Sequence, residues 1–380
     1  MVAQRYDIFC KVVDNYGDAG VSWRLARQLV REHDMAVTLW IDAIASLARI
    51  AKGIDPSRRL QSSEGVRVRA WPESLTGIEL PDVVVEAFGC GLPDDYVDAM
   101  AAARRAPIWV NLEYLSAEPW VESAHGLPSP QPRLPLTRYF YFPGFTDRTG
   151  GLLREAGLLE ARDRARTGTA DRDALWRFFG LSPGASSIVV SLFCYANRAL
   201  PALLDAWADG DEPVLCLVPE GVAAPSLDAW TGGDVPHAGQ TRTHGRLTLV
   251  TLPFVAQDDY DRLLWQCDVN FVRGEDSFVR AQWAARPFVW HIYPQADDAH
   301  RAKLEEFLRR FEIGLDPRAA QALNRFWETF NGDRSDAATE WPVFRARLPA
   351  LSAHGDRWAR RLGSHRDLAT GLVEFCAARL

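Results

Sequence analysis

Apolar positions in this chain come in two rhythms. Some form short continuous runs, which predict buried strands. Others recur every three or four residues, which predicts helices with one apolar face. In the first half, strands are predicted at 5–13, 36–41, 66–70, 81–88 and 107–112, with helices at 22–31, 44–50 and 93–103. Strands alternating with helices predict a parallel sheet covered on both faces. Residues 118–145 break the rhythm with prolines, glycines and aromatics, and read as one long connection. Charged helical stretches follow at 152–166 and 171–180, and a domain boundary is placed near Gly180. The rhythm then restarts, with strands at 187–193, 213–218, 247–252, 268–273 and 288–293, and helices at 199–207 and 260–267. A further helix follows the turn at 274–277, with Asp276 or Ser277 able to cap its start. Pro287 ends it, because proline disfavours helical geometry in the residue before it. Beyond 302 only helices are predicted, at 303–310, 319–330, 341–348 and 357–380.

The pattern is that of an α/β chain with two Rossmann-like domains, 1–180 and 181–355, facing a central cleft. The segment 356–380 is expected to pack back on the first domain. Nucleotide-sugar transferases of the GT-B type share this plan. Length agrees, since 380 residues exceed one ordinary core. A net charge of -7 argues against a general nucleic-acid binder. No apolar run is long enough to span a membrane, and the N-terminus lacks the apolar core of a signal peptide. The six cysteines are scattered without a CxxC pair, which predicts buried free thiols in a reducing cytoplasm.

Chemistry concentrates in three turns. Asp14 to Gly20 follows the first strand, where a dinucleotide-binding protein would carry a Gly-rich phosphate loop. Gly17 and Gly20 permit a tight turn, yet Asp14 and Asp18 would repel a pyrophosphate. The loop suits a cationic or hydroxylated group, or else one aspartate caps the helix and the other is solvated. Glu275, Asp276 and Ser277 open a helix after the strand ending at Arg273. Such a helix start welcomes an anion such as a diphosphate, with Arg273 beside it. The two carboxylates there either face sugar hydroxyls or are plain helix-start acids. Gln257 has the donor and acceptor needed to read a pyrimidine edge, and Phe254 can stack on it. Phe193 and Tyr195 end another strand, and are core residues or ligand contacts. A metal held by the two aspartates is disfavoured, since hard cations recruit more oxygens than this loop offers.

Four blocks carry a family resemblance: Asp14 to Gly20, Asn111 to Trp120, Arg273 to Trp283, and Phe288 to Gln295. They resemble the EarP family of bacterial elongation factor P arginine rhamnosyltransferases. The resemblance implies a GT-B fold and inverting transfer of rhamnose from dTDP-β-L-rhamnose to an arginine of elongation factor P, with no metal, nucleic acid or membrane involved. It implies Asp18 as general base, Asp14 as its assisting carboxylate and Glu275 as a third essential acid. Asp276, Ser277, Gln257, Phe254, Phe193, Tyr195 and Tyr293 would surround the donor, with Arg273 and Gly17 counted among its contacts. A nucleotide-sugar epimerase of the same double-Rossmann plan is the alternative.

Overall fold

The computed structural model describes residues 3–14, 16–71, 78–184, 187–294, 299–332, 334 and 336–380. Asn15 and Gln295, members of two of the resemblance blocks, lie outside the described residues. The chain divides into two compact units: Met1–Ala156 with Leu362–Leu380, and Gly157–Arg361. Among the described residues no helix is long and apolar enough to cross a membrane.

The first unit runs β1 (Arg5–Cys10), α1 (Gly17–His33), β2 (Ala36–Ile41), α2 (Ile44–Ile50), β3 (Leu60–Ser63), β4 (Val66–Ala70), β5 (Val83–Ala87), α3 (Asp94–Ala102), β6 (Ile108–Leu112), α4 (Val121–Ala124), β7 (Pro128–Pro130) and β8 (Thr137–Tyr141). The second runs α5 (Leu158–Thr167), α6 (Thr169–Phe178), β9 (Ile188–Leu192), α7 (Ala199–Ala208), β10 (Val214–Pro219), α8 (Ala224–Thr231), β11 (Thr241–His244), β12 (Leu247–Leu252), α9 (Gln257–Gln266), β13 (Val269–Arg273), α10 (Asp276–Ala284), β14 (Phe288–His291), α11 (Ala299–Phe311), α12 (Pro317–Asn331), α13 (Ala337–Arg345) and α14 (Leu348–Gly363). Helix α15 (Leu368–Ala377) then belongs to the first unit.

The first sheet has the order β3-β4-β2-β1-β5-β6-β8-β7 and the second β11-β12-β10-β9-β13-β14. All neighbours pair parallel except the edge hairpins β3–β4, β7–β8 and β11–β12. Strands buried on both faces read as continuous apolar runs. β10, Val-Leu-Cys-Leu-Val-Pro, is buried at every position. β5 buries Glu86 as well. That carboxylate accepts from Trp109 Nε1 at 3.0 Å, Gly91 N at 2.9 Å and Arg138 Nη1 at 3.2 Å, so its burial is compensated.

Several boundaries differ from the sequence reading. The connection expected at 118–145 contains β7 and β8, and β8 pairs parallel with β6. Prolines 128 and 130 sit on the edge strand, where a missing N–H costs no central ladder bond. Helix α1 begins at Gly17 instead of 22, which moves Asp18 into its first turn. The helix expected at 357–380 is two helices, and Asp367 caps the second through Thr370 N at 3.1 Å.

The boundary near Gly180 moves back to Ala156. The reason is packing: α5 and α6 lie against α9. Arg162, 4% exposed, donates to the Trp283 carbonyl at 2.8 Å, and Gln266 Nε2 donates to the Ala165 carbonyl at 2.7 Å. The last segment closes the first unit. Gln28 Nε2 donates to Asp367 Oδ1 at 3.0 Å, and Leu368 N to the Leu152 carbonyl at 3.0 Å. Phe375 meets Tyr141 edge-on at 5.4 Å.

This closure needs Gly151. Its φ is +75°, and a Cβ there would collide with the Arg366 carbonyl oxygen. Gly151→Ala is therefore expected to destabilise the protein by ~2–3 kcal/mol, from left-handed strain plus displaced backbone, as read by urea unfolding. Unchanged stability would show that the turn tolerates a side chain.

Candidate active site

In each sheet the strand order reverses once, between β1 and β5 and between β9 and β13. Open α/β sheets bind ligands outside the carboxyl ends of the strands at such a reversal. Of the turns singled out by sequence, those after β1, β9 and β13 stand at these two places, while Phe254 and Gln257 follow β12, on the far side of β10.

In the first unit Asp18 is 1% exposed on the first turn of α1. Its Oδ2 accepts from Val13 N at 2.8 Å and Asp14 N at 2.9 Å, folding the preceding loop over the helix start. The reading of Asp14 or Asp18 as helix cap does not hold: the cap is Tyr16, whose side chain makes no capping bond. Gly17 N donates to the Asp14 carbonyl at 2.6 Å. A Cβ on Gly17 would lie 2.6 Å from Asp14 Oδ2, so Gly17 makes room for that carboxylate. The sequence reading had counted Gly17 among donor contacts.

The turn after β5 forms the other wall of this reversal, and sequence reasoning missed it. Phe88, Gly89 and Gly91 have φ of 58°, 61° and 72°. Gly89 N donates to Asn111 Oδ1 at 3.0 Å, and Cys90 Sγ to the Phe9 carbonyl at 3.3 Å. Asn111 also donates to Glu113 Oε1, and Phe88 stacks on Tyr114 at 4.4 Å. The available signal was the glycine spacing in Phe-Gly-Cys-Gly, since glycine takes left-handed backbone at no steric cost.

In the second unit the predicted donor residues come together. The Arg273 guanidinium lies 4.7 Å from the Phe193 ring centre and 4.6 Å from that of Tyr195. Phe254 meets Phe193 edge-on at 6.4 Å, and Tyr293 meets Tyr195 edge-on at 5.4 Å. Gln257 Nε2 donates to Asp276 Oδ2 at 2.9 Å. Neither Asp276 nor Ser277 caps α10: its cap is the half-buried Glu275, whose side chain makes no capping bond. Ser277 instead accepts from Arg273 N at 3.0 Å and donates to the Arg273 carbonyl, so its hydroxyl shapes the turn. Trp290 Nε1 ties down the Gly274 carbonyl at 2.9 Å while its ring stacks on Phe278 at 3.8 Å.

Two positioning residues carried no assigned role in the sequence reading. Arg280 and Asp261, 2% and 4% exposed, form a two-point ion pair: Nε to Oδ1 at 2.9 Å and Nη2 to Oδ2 at 2.6 Å. Gln257 and Asp261 lie one turn apart on α9, as do Asp276 and Arg280 on α10. The ion pair therefore holds the helix faces that bring Gln257 to Asp276, and the repeated spacing of four was the legible signal. His291, paired in register with Arg273, also went unnoticed. Burial, then the charges of Arg273 and His300, push its pKa down to about 3, so the imidazole is neutral.

The profile of the family described as "Elongation-Factor P (EF-P) rhamnosyltransferase EarP" matches residues 6–377. A protein-arginine rhamnosyltransferase of Pseudomonas putida is 50% identical over 370 residues, covering 97% of this chain and 98% of its own. One of the same name from Pseudomonas aeruginosa is 47% identical, covering 98% of each. A solved structure described as "Structural basis for EarP-mediated arginine glycosylation of translation elongation factor EF-P" superposes with a TM-score of 0.72 at 38% identity, covering 99% of this chain and 100% of that one.

Arg280→Ala would strip the buried Asp261 of its two-point guanidinium contact. The expected loss is ~3–5 kcal/mol of unfolding free energy, with partial recovery when Asp261 is also replaced by Leu. Urea titration of the single and double variants measures both. An Arg280→Ala protein within 1 kcal/mol of wild type, on the order-of-magnitude scale of exposed pairs, would contradict this burial.

Proposed function

The chain belongs to the EarP family of elongation factor P rhamnosyltransferases, and on that premise we propose that it moves rhamnose from dTDP-β-L-rhamnose to a guanidinium nitrogen of elongation factor P with inversion at the sugar carbon. As a member of that family it is a GT-B-type glycosyltransferase acting on protein arginine. An acceptor that works in translation supports the reading that it acts in the cytoplasm.

The observation that carries the reading is the acid pair, Asp14 and Asp18, at a strand-order reversal where phosphate binders present glycines. A guanidinium is the acceptor that suits such a loop, because it is always charged and offers several N–H donors. Arginine has a pKa above about 12 and an aspartate near 4, so deprotonation beforehand would cost roughly 11 kcal/mol. In the proposed course Asp14 and Asp18 grip the guanidinium and localise a lone pair on one nitrogen. That nitrogen attacks the sugar carbon as the bond to the dTDP oxygen breaks. The proton passes to Asp18 as the C–N bond forms, when the nitrogen is more acidic. Holding the reactants in line supplies much of the rate.

In this reading Phe254 stacks on the thymine and the Gln257–Asp276 pair meets the nucleotide side. The first-turn N–H groups of α10 and the Arg273 guanidinium meet the charge of the leaving diphosphate. That charge needs no metal in this scheme, and turnover should survive EDTA. Glu275 is the third acid, assigned to the sugar.

Intact-mass analysis of elongation factor P after incubation with dTDP-rhamnose tests the reading, with one added deoxyhexose on an arginine expected. A β-configured donor should give an α-linked product by NMR. Asp18→Asn keeps a carbonyl oxygen for the Val13 and Asp14 amides, so the loop should stay folded while turnover falls about 10²–10⁴-fold with donor affinity intact. Near-normal turnover of Asp18→Asn would defeat the assigned base.

A further inference from the structure

We propose that His291 is a donor-positioning group whose Nδ1 hydrogen-bonds an oxygen of the bound nucleotide sugar. The inference rests on the donor site assigned to the second unit.

Its first support is an unbalanced polar atom. His291 is 5% exposed, and among the described residues its buried Nδ1 has no hydrogen-bond partner. A buried polar atom without a partner costs on the order of 1–3 kcal/mol. Such an atom is expected where something else completes the bond.

Its second support is placement. Register pairs His291 with Arg273 on adjacent parallel strands, so both side chains leave the sheet on one face. The imidazole lies edge-on to Tyr195 at 5.3 Å, and Tyr195 touches both the Arg273 guanidinium and Tyr293. Behind it, Phe330 of α12 packs edge-on at 5.3 Å. The ring is thus held between two aromatic walls at the end of the strand that flanks the donor turn.

Its third support is chemical type. A neutral imidazole carries one N–H and one lone pair. It can donate to a phosphate oxygen or accept from a sugar hydroxyl without adding a second cation beside Arg273. Neutrality at working pH follows from its burial.

The test uses the full-length protein and calorimetric titration with dTDP and with dTDP-rhamnose. His291→Phe keeps a flat ring against Tyr195 and Phe330 but removes both nitrogens. We expect it to weaken donor binding about 10-fold while the ligand-free protein melts at the same temperature or higher. His291→Asn returns a polar atom near the Nδ1 position and should recover much of the affinity. Equal weakening for both ligands places the bond on the diphosphate or nucleoside. Weakening for dTDP-rhamnose alone places it on the sugar. Wild-type affinity of His291→Phe for both ligands overturns the inference, as does a joint loss of stability and affinity that Asn does not relieve. If the wild-type protein itself fails to bind dTDP-rhamnose, the donor assignment falls, and this inference with it.

Discussion

A parallel sheet whose strand order reverses leaves one stretch of its carboxyl edge uncovered. On either side of the reversal the connecting helices leave for opposite faces, and neither can close the gap. Both units of this chain contain such a reversal, β1 beside β5 and β9 beside β13. Asp14 and Asp18 stand at the first gap, and Arg273 with Phe193 and Tyr195 at the second. The same scaffold is given opposite electrostatics: a buried aspartate and its neighbour in the first unit, and an arginine among aromatics in the second. Fold alone does not set that difference, because the sheet fixes only where a turn stands and the turn residues fix what it attracts.

Rigidity at these gaps comes from hydrogen bonds and ion pairs within the turns and between the helices that follow them. Asp18 organises the loop ahead of it through two backbone amides, so the charge assigned to chemistry also builds its own surroundings. In the second unit the load is divided. Arg280 and Asp261 fix one helix against another, Ser277 and Trp290 fix the turn, and Gln257 and Asp276 are left in contact at its mouth. Supporting groups of this kind hold a site within the tolerance that binding requires.

The buried strands were legible because a strand covered on both faces must be apolar throughout, as β10 is. The edge hairpin β7–β8 was not, because prolines and glycines are common to loops and to sheet edges. Asp14, Asp18 and the residues around Arg273 could be singled out because charge at the end of an apolar run is conspicuous. What those residues bond to could not be read: whether Ser277 faces a ligand or its own turn depends on a backbone path that only the fold fixes. His291 was invisible for a related reason. Its neighbours in sequence mark it as one more position of a buried strand, while its meaning lies in the strand beside it.

The chain order of the first unit has a consequence for biosynthesis. The second unit is one continuous stretch, 157–361, and all of its residues are made before the chain ends. The first unit begins earlier but waits for 362–380, which pack on α1, the helix that carries Asp18. During translation the second half can therefore close on itself while the first still lacks its last helix. A chain stopped before 362 would hold a complete second unit and a first unit lacking the helix that backs α1. The helix behind the acid loop thus gains its full backing only once 362–380 have been made.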